Sequence, residues 1–169
     1  MTTAQLPAIS SGTWQVDPIH SSVEFLVTET QSQFRVVAGR FTDFEGTLTT
    51  GPTDGDWRAQ GVIRSASLTT AQDQRDADLR SPNFLNVAAF PEIRFESERM
   101  EFTDGNRLRV VGRLVLQGQA QPLTLQGTIR GYGKSEDGAE RVVLSGTGEL
   151  AFGPMAVQLT AHLSAVKSV

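Results

Sequence analysis

The chain has 169 residues, of which 38% are hydrophobic and 20% charged, with a formal net charge of −4 and no cysteine. Such a composition gives one soluble domain, whose core hides roughly 70% of the surface exposed on unfolding. It excludes a disulfide framework and thiolate chemistry, and its acidic balance argues against a phosphate-backbone partner, so no nucleic acid is expected.

The opening "MTTAQLPAISSG" is small and polar. It reads as a flexible N-terminal arm over 1–12 ahead of a single domain over 13–169. It lacks the basic end and continuous apolar run of a signal peptide, and nowhere do about twenty apolar residues run together, so a cytoplasmic protein without a transmembrane segment is expected. Asp17-Pro18 marks a turn, after which Val23, Phe25 and Val27 alternate with Ser22, Glu24 and Leu26, the period of a half-buried strand. In "FRVVAGRFTDFEGTLTT" the set Phe34, Val36 and Ala38 alternates, and Gly39 then shifts the register before Phe41 and Phe44, which predicts a bulge or sharp bend. "WRAQGVIRSASL" is a third strand. Thr69 or Thr70 then caps a short helix through "AQDQRDADLR", which Ser81-Pro82 stops.

Beyond the Phe90-Pro91 turn, "EIRFESERMEF", "RLRVVGRLVLQG", "PLTLQGTIRGY", "RVVLSGTGELAF" and "VQLTAHLSAV" complete eight strands. An all-β chain of eight antiparallel strands, with one short helix between the third and fourth, fits a sandwich or a closed barrel. Long strands with a glycine near the middle favour the barrel, because they bend and tilt as closure requires. Phe25, Phe34, Phe41, Phe44, Phe95 and Phe152 share the inward face with Gly112, Gly127 and Gly148. Tapered core packing and an internal cavity both account for that mixture.

Four blocks, "WQVDPIHSSVEFLV", "GRFTDFEGTL", "RDADLRSPNFLNVAAFPEIRFES" and "GRLVLQGQAQPLTLQG", closely resemble the consensus of the YceI-like family of bacterial lipid-binding proteins, over about residues 13 to 166. The resemblance implies an extended, lipocalin-like barrel whose long apolar tunnel takes a polyisoprenoid, such as an isoprenoid quinone or a prenyl alcohol or diphosphate. It implies no enzymatic reaction, no cofactor beyond a bound isoprenoid lipid, and a possible homodimer. In such a fold "TTAQDQRDADLRSPNFLNVAAF" crosses the barrel mouth as a lid, with Phe84, Leu85, Val87 and Phe90 turned toward the tunnel. The expected ligand-binding set is therefore His20, Phe25, Val27, Phe34, Phe41, Phe44, Arg75, Leu79, Phe84, Leu85, Phe90, Phe95, Leu114 and Phe152. The sequence departs from the family at Asp78 and Glu29, where histidines are common. Two carboxylates in place of potential cations would repel a diphosphate in a low-dielectric mouth, which favours a neutral-headed ligand.

His20 and Ser21 either meet a ligand head group or fix the entry to their strand; His162 falls on a polar face. Two histidines far apart and no cysteine make a metal site improbable. "GTGEL" and "GYGKS" read as turns and bulges rather than phosphate loops. Arg75 is the better placed of the helix arginines to reach a head group, while Asp76 and Arg80 have the four-residue spacing of an ion pair. Asn83 and Asn86 either bond a ligand carbonyl or hydroxyl or cap the turn. Without a nucleophile, metal or base constellation, the leading expectation is non-enzymatic carriage or storage of a long apolar lipid. The alternative is a filled barrel serving as a stress-related protein-interaction module.

Overall fold

Period-two patterning builds an all-antiparallel barrel, which a computed structural model describes over residues 8–28 and 36–168. Eleven extended segments make it: β1 (Gly12–Val16), β2 (Ser22–Thr28), β3 (Val36–Phe41), β4 (Phe44–Thr50), β5 (Arg58–Arg64), β6 (Leu68–Thr69), β7 (Glu92–Asp104), β8 (Arg107–Leu116), β9 (Gln119–Lys134), β10 (Glu140–Phe152) and β11 (Met155–Lys167). One helix, α1 (Asp73–Arg80), lies between β6 and β7. The segments form the eight strands expected, because three strands are interrupted. β1 and β2 follow one another along β11, β4 and β3 pair with that stave, and β5 and β6 pair with β4 and β3. β7 to β11 are continuous, and β1 against β11 closes the ring.

Two of the interruptions have identifiable causes. Between β1 and β2 the Asp17 side chain accepts from Ile19 N at 3.0 Å and Pro18 opens a single 3₁₀ turn. Between β3 and β4 the chain turns a corner at Thr42-Asp43, where Thr42 N and Oγ1 both donate to Ser67 O at 3.2 and 3.1 Å. That corner, not Gly39, is the bend: the β2–β3 register runs evenly through Phe25↔Gly39. Gly39 instead makes room, since a Cβ there would lie 2.4 Å from Phe25 Cζ. The corner also corrects the phase of β3, for Val36 is exposed and Val37 faces in, on the same side as Phe41. "GTGEL" lies within β10 rather than in a turn, while the ladder shifts opposite "GYGKS", between Val143 and Leu144. The helix is shorter than expected, and Gln72, not a threonine, caps it by accepting from Arg75 N at 2.5 Å.

The interior divides into two apolar clusters. At the end remote from α1, Trp14, Trp57, Phe102, Leu108 and Val142 fill the barrel. Trp57 and Phe102 meet edge to face at 4.9 Å, and the indoles donate to Thr50 Oγ1 (Trp14, 3.0 Å) and Gly51 O (Trp57, 3.1 Å), so neither polar edge is buried without a partner. Ile9 is buried in this cluster too, so part of the segment read as an arm is docked before β1 begins. The second cluster, around Phe25, Phe41, Phe44, Leu68 and Leu114, lies on the α1 side. No helix among the described residues is long and apolar enough to cross a membrane.

Candidate functional site

Where the far half of the barrel is filled, the α1 half is hollow. A cavity of ≈ 240 Å³ opens beneath α1, and a second of ≈ 160 Å³ lies deeper. Ile63, Leu114 and Leu159 line both and form the waist between them. Taken together the two fall within the roughly 300–1,000 Å³ typical of small-molecule sites. The tunnel expected is thus a blind one in two compartments, closed at its far end by the tryptophan cluster.

The inward faces place most of the expected residues here. Phe25, Val27, Phe41, Arg75, Leu79, Phe84, Leu85, Leu114 and Phe152 line the outer compartment, and Phe44, Phe95 and Leu114 the deeper one. Gly112 explains how Phe95 fits, since a Cβ there would lie 2.7 Å from its ring. Tapered packing and a cavity therefore coexist. Phe34 and Glu29 lie outside the described residues.

Three expected contacts are corrected. His20 sits outside the barrel on the 3₁₀ turn, exposed, with Nδ1 2.7 Å from Asp17 Oδ2. With Arg141 it holds Asp17, whose carboxyl is lowered to about 2, first by the His20 hydrogen bond and then by Arg141, against partial burial. Phe90 lines neither compartment; its carbonyl accepts from Ser65 Oγ at 2.7 Å and its ring lies over Gly118. Val87 likewise lines neither. Residues not singled out from the sequence also form the wall, among them Val37, Leu68, Leu150, Met155 and Val157. Leu150 with Phe152, and Met155 with Val157, keep the period of two that would have revealed them.

The lid is latched by polar groups that leave the cavity wall apolar. Asp76, buried on α1, accepts from Thr70 N at 2.9 Å and Thr70 Oγ1 at 2.5 Å, and Arg75 Nε donates to the same Oγ1 at 2.8 Å. The expected Asp76–Arg80 ion pair does not form at contact distance; Arg80 donates to Ala66 O and Leu68 O at 3.0 and 2.6 Å, tying α1 to the wall. Beyond the helix, Gln117 Nε2 donates to Phe84 O, and Asn86 adopts φ +51° with its carbonyl accepting from Phe90 N at 2.9 Å, the turn role rather than a ligand contact. Two charged side chains, Arg75 and Asp78, stand on the outer compartment's wall.

The Thr70 hydroxyl bond, opposed by desolvation and aided by the Thr70 amide, holds the Asp76 carboxyl below its ordinary 3.8. A carboxylate lowered on folding contributes stability that is complete above 3.8 and is lost as pH falls through the lowered value. Hydrogen exchange at the Thr70 amide is therefore expected to accelerate as the solution is acidified below about pH 4, relative to β8 amides. Asp76→Ala is expected to exchange fast at every pH; unchanged protection in that variant would show the latch is not what holds the lid.

Among the described residues no group of three or more His, Cys, Asp or Glu converges as a metal site would require. His162 is exposed, its Nδ1 3.3 Å from Ser145 Oγ.

The YceI-like domain matches residues 14–163. A UPF0312 protein of Pseudomonas savastanoi pv. phaseolicola is 31% identical over 132 residues, covering 78% of this chain and 68% of its own length. Among solved structures, Burkholderia cenocepacia BcnA superposes with a TM-score of 0.76 at 19% identity, over 88% of this chain and 98% of that one. A polyisoprenoid-binding domain from Saccharophagus degradans superposes with a TM-score of 0.67 at 14% identity, over 94% of this chain and 100% of that one.

Proposed function

Since this chain belongs to the YceI-like family, we propose that it binds a long apolar lipid, a polyisoprenoid with a neutral head such as a quinone or prenyl alcohol, and carries or stores it without chemical change. The observation that carries the reading is the hollow beneath α1, walled by aliphatic and aromatic side chains with Arg75 and Asp78 as its charged groups. The polyisoprenoid-binding neighbour from Saccharophagus degradans supports the ligand class. Burial supplies the affinity: each methylene taken from water contributes about 0.8 kcal/mol, so one isoprene unit gives on the order of 3 kcal/mol before ordering costs. The head group need contribute little. Asp78 beside Arg75 offsets the arginine's charge, so the mouth offers a diphosphate no net attraction.

Organic extraction of the purified protein followed by mass spectrometry tests this. A stoichiometric isoprenoid quinone or alcohol is expected. Mainly prenyl diphosphates would overturn the neutral-head preference, and a consistently empty protein would favour the interaction module. Arg75→Ala is expected to alter head-group choice while changing the affinity for a given tail by less than about tenfold, read by competition between a prenyl alcohol and its diphosphate.

A further inference from the structure

The ladder that joins β9 to β10 stops short of the α1 end of the barrel. Its last pair on that side is Gln126 with Thr147. Beyond it β9 runs on to Gln119 paired with β8, and β10 runs on to Phe152 paired with β11. A proline explains the break. Continued in the same register, Pro122 falls opposite Ala151, and a proline has no N–H to offer the Ala151 carbonyl. The neighbouring side chain takes over that pairing: Gln121 Nε2 donates to Ala151 O at 3.1 Å, and Gln121 Oε1 accepts from Ala151 N at 3.3 Å. One carboxamide thus stands in for a peptide unit.

This parted seam runs along the hollow. Leu123 and Leu125 of β9 line the deeper compartment, and Leu150 and Phe152 of β10 line the outer one. At its inner end Gly148 has no side chain, and a Cβ there would lie 2.5 Å from Thr124 O and 2.9 Å from Leu125 Cδ2. Leu125 therefore closes over the glycine, so apolar contact covers the seam where the ladder does not. From Gly148 to Phe152 it extends about 17 Å at the usual rise of a strand. We propose that the lipid tail enters and leaves sideways through this slot between β9 and β10, with Gln121 as its latch. The inference rests on the lipid-binding reading and gives the route of exchange. Parting β8 from β9 would break a backbone ladder that holds as far as Leu116 opposite Gln119. Parting β9 from β10 breaks the two Gln121 bonds and leucine contacts that the passing tail itself replaces. A tail that moves sideways is not drawn end-first past Arg75, Asp78 and α1.

Stopped-flow exchange of a ubiquinone with two isoprene units between delipidated protein and phosphatidylcholine vesicles, read by quinone quenching of tryptophan fluorescence, tests the route. Gln121→Ala is expected to speed uptake and release together by about tenfold while the dissociation constant stays within about twofold. Pro122→Val restores the missing donor and is expected to slow both rates by about fivefold, which keeps the test open should Gln121→Ala not fold. A latch moves the two rates together, whereas damage to the binding wall quickens release alone. Release alone quickening in Gln121→Ala, rates unmoved in both folded variants, or exchange that quickens in Asp76→Ala but not in Gln121→Ala overturns the slot and leaves the lipid-binding reading intact. Failure of the parent protein to take up either this quinone or farnesol, the latter read by native mass spectrometry, overturns both.

Discussion

A Phe95→Asp protein is expected to emerge from purification without bound lipid and less stable by several kcal/mol. Phe95 stands on β7 opposite Leu114, half-buried, and its ring occupies the space that Gly112 leaves empty. The wall of the deeper compartment that it lines is apolar over nearly all of its surface. An aspartate there meets a wall that offers little to replace water, and burying an unpaired charge costs far more than one isoprene unit returns. Either the carboxyl stays protonated, or water follows it into the cavity; in both cases the apolar continuity that retains a tail is broken. Phe95→Leu preserves the apolar surface and is expected to keep its lipid. Extraction and mass spectrometry on the two variants beside the parent chain decide the matter, and a folded Phe95→Asp protein with a full complement of lipid would contradict the placement of the site.

The second large effect lies at the opposite end. Trp14→Ala is expected to lower the unfolding free energy by about 3–5 kcal/mol, measured by urea titration. Trp14 has 0% of its surface exposed, donates to Thr50 Oγ1 and meets Tyr132 edge to face at 6.1 Å, while Lys167 Nζ lies 5.9 Å from its ring centroid. Above it, a network of Ser10, Tyr132 and Lys167 around Glu140 covers the barrel end: Tyr132 Oη donates to Glu140 Oε1 at 2.7 Å and Lys167 Nζ lies 3.3 Å from Oε2. Removing the indole empties the middle of that assembly, and the rigid walls of a closed barrel collapse only partly into the space. A loss of less than about 1 kcal/mol would show that the end of the barrel tolerates an opening, and the closed far end of the tunnel would go with it.

Regular alternation made most of the fold legible. Leu108, Val110, Leu114 and Leu116 fell on one face in the sequence and are buried together in the barrel. Legibility failed where a strand changes direction without a turn motif. The corner at Thr42-Asp43 depends on bonds to Ser67, twenty-five positions away, and nothing local announces it. The odd spacing of Phe41 and Phe44 was visible, but Gly39 drew the blame because glycines commonly mark bulges, whereas here the glycine serves a ring on the neighbouring strand. The site shows the same division. Phe25, Phe41 and Phe95 were readable as inward residues. His20 was not readable as an outward one, because "DPIH" encodes a capped 3₁₀ turn whose direction depends on Arg141 and Ser164 of the neighbouring strands β10 and β11, far away in sequence. Asp76 and Arg80 had the spacing for a pair, yet each bonds instead to the segment before α1, which helical spacing alone does not reveal.

The ring is sealed by its first and last strands, with Trp14 opposite Lys167 and Val16 opposite Ala165. No ladder nearer in sequence can substitute for that seam, so the loop that must close spans almost the entire polypeptide. Assembly is accordingly bound to be slow for a chain of this size. Until the seam closes, the growing sheet holds its greasy face open to solvent or to a chaperone, and the hollow comes into being only when the final strand arrives.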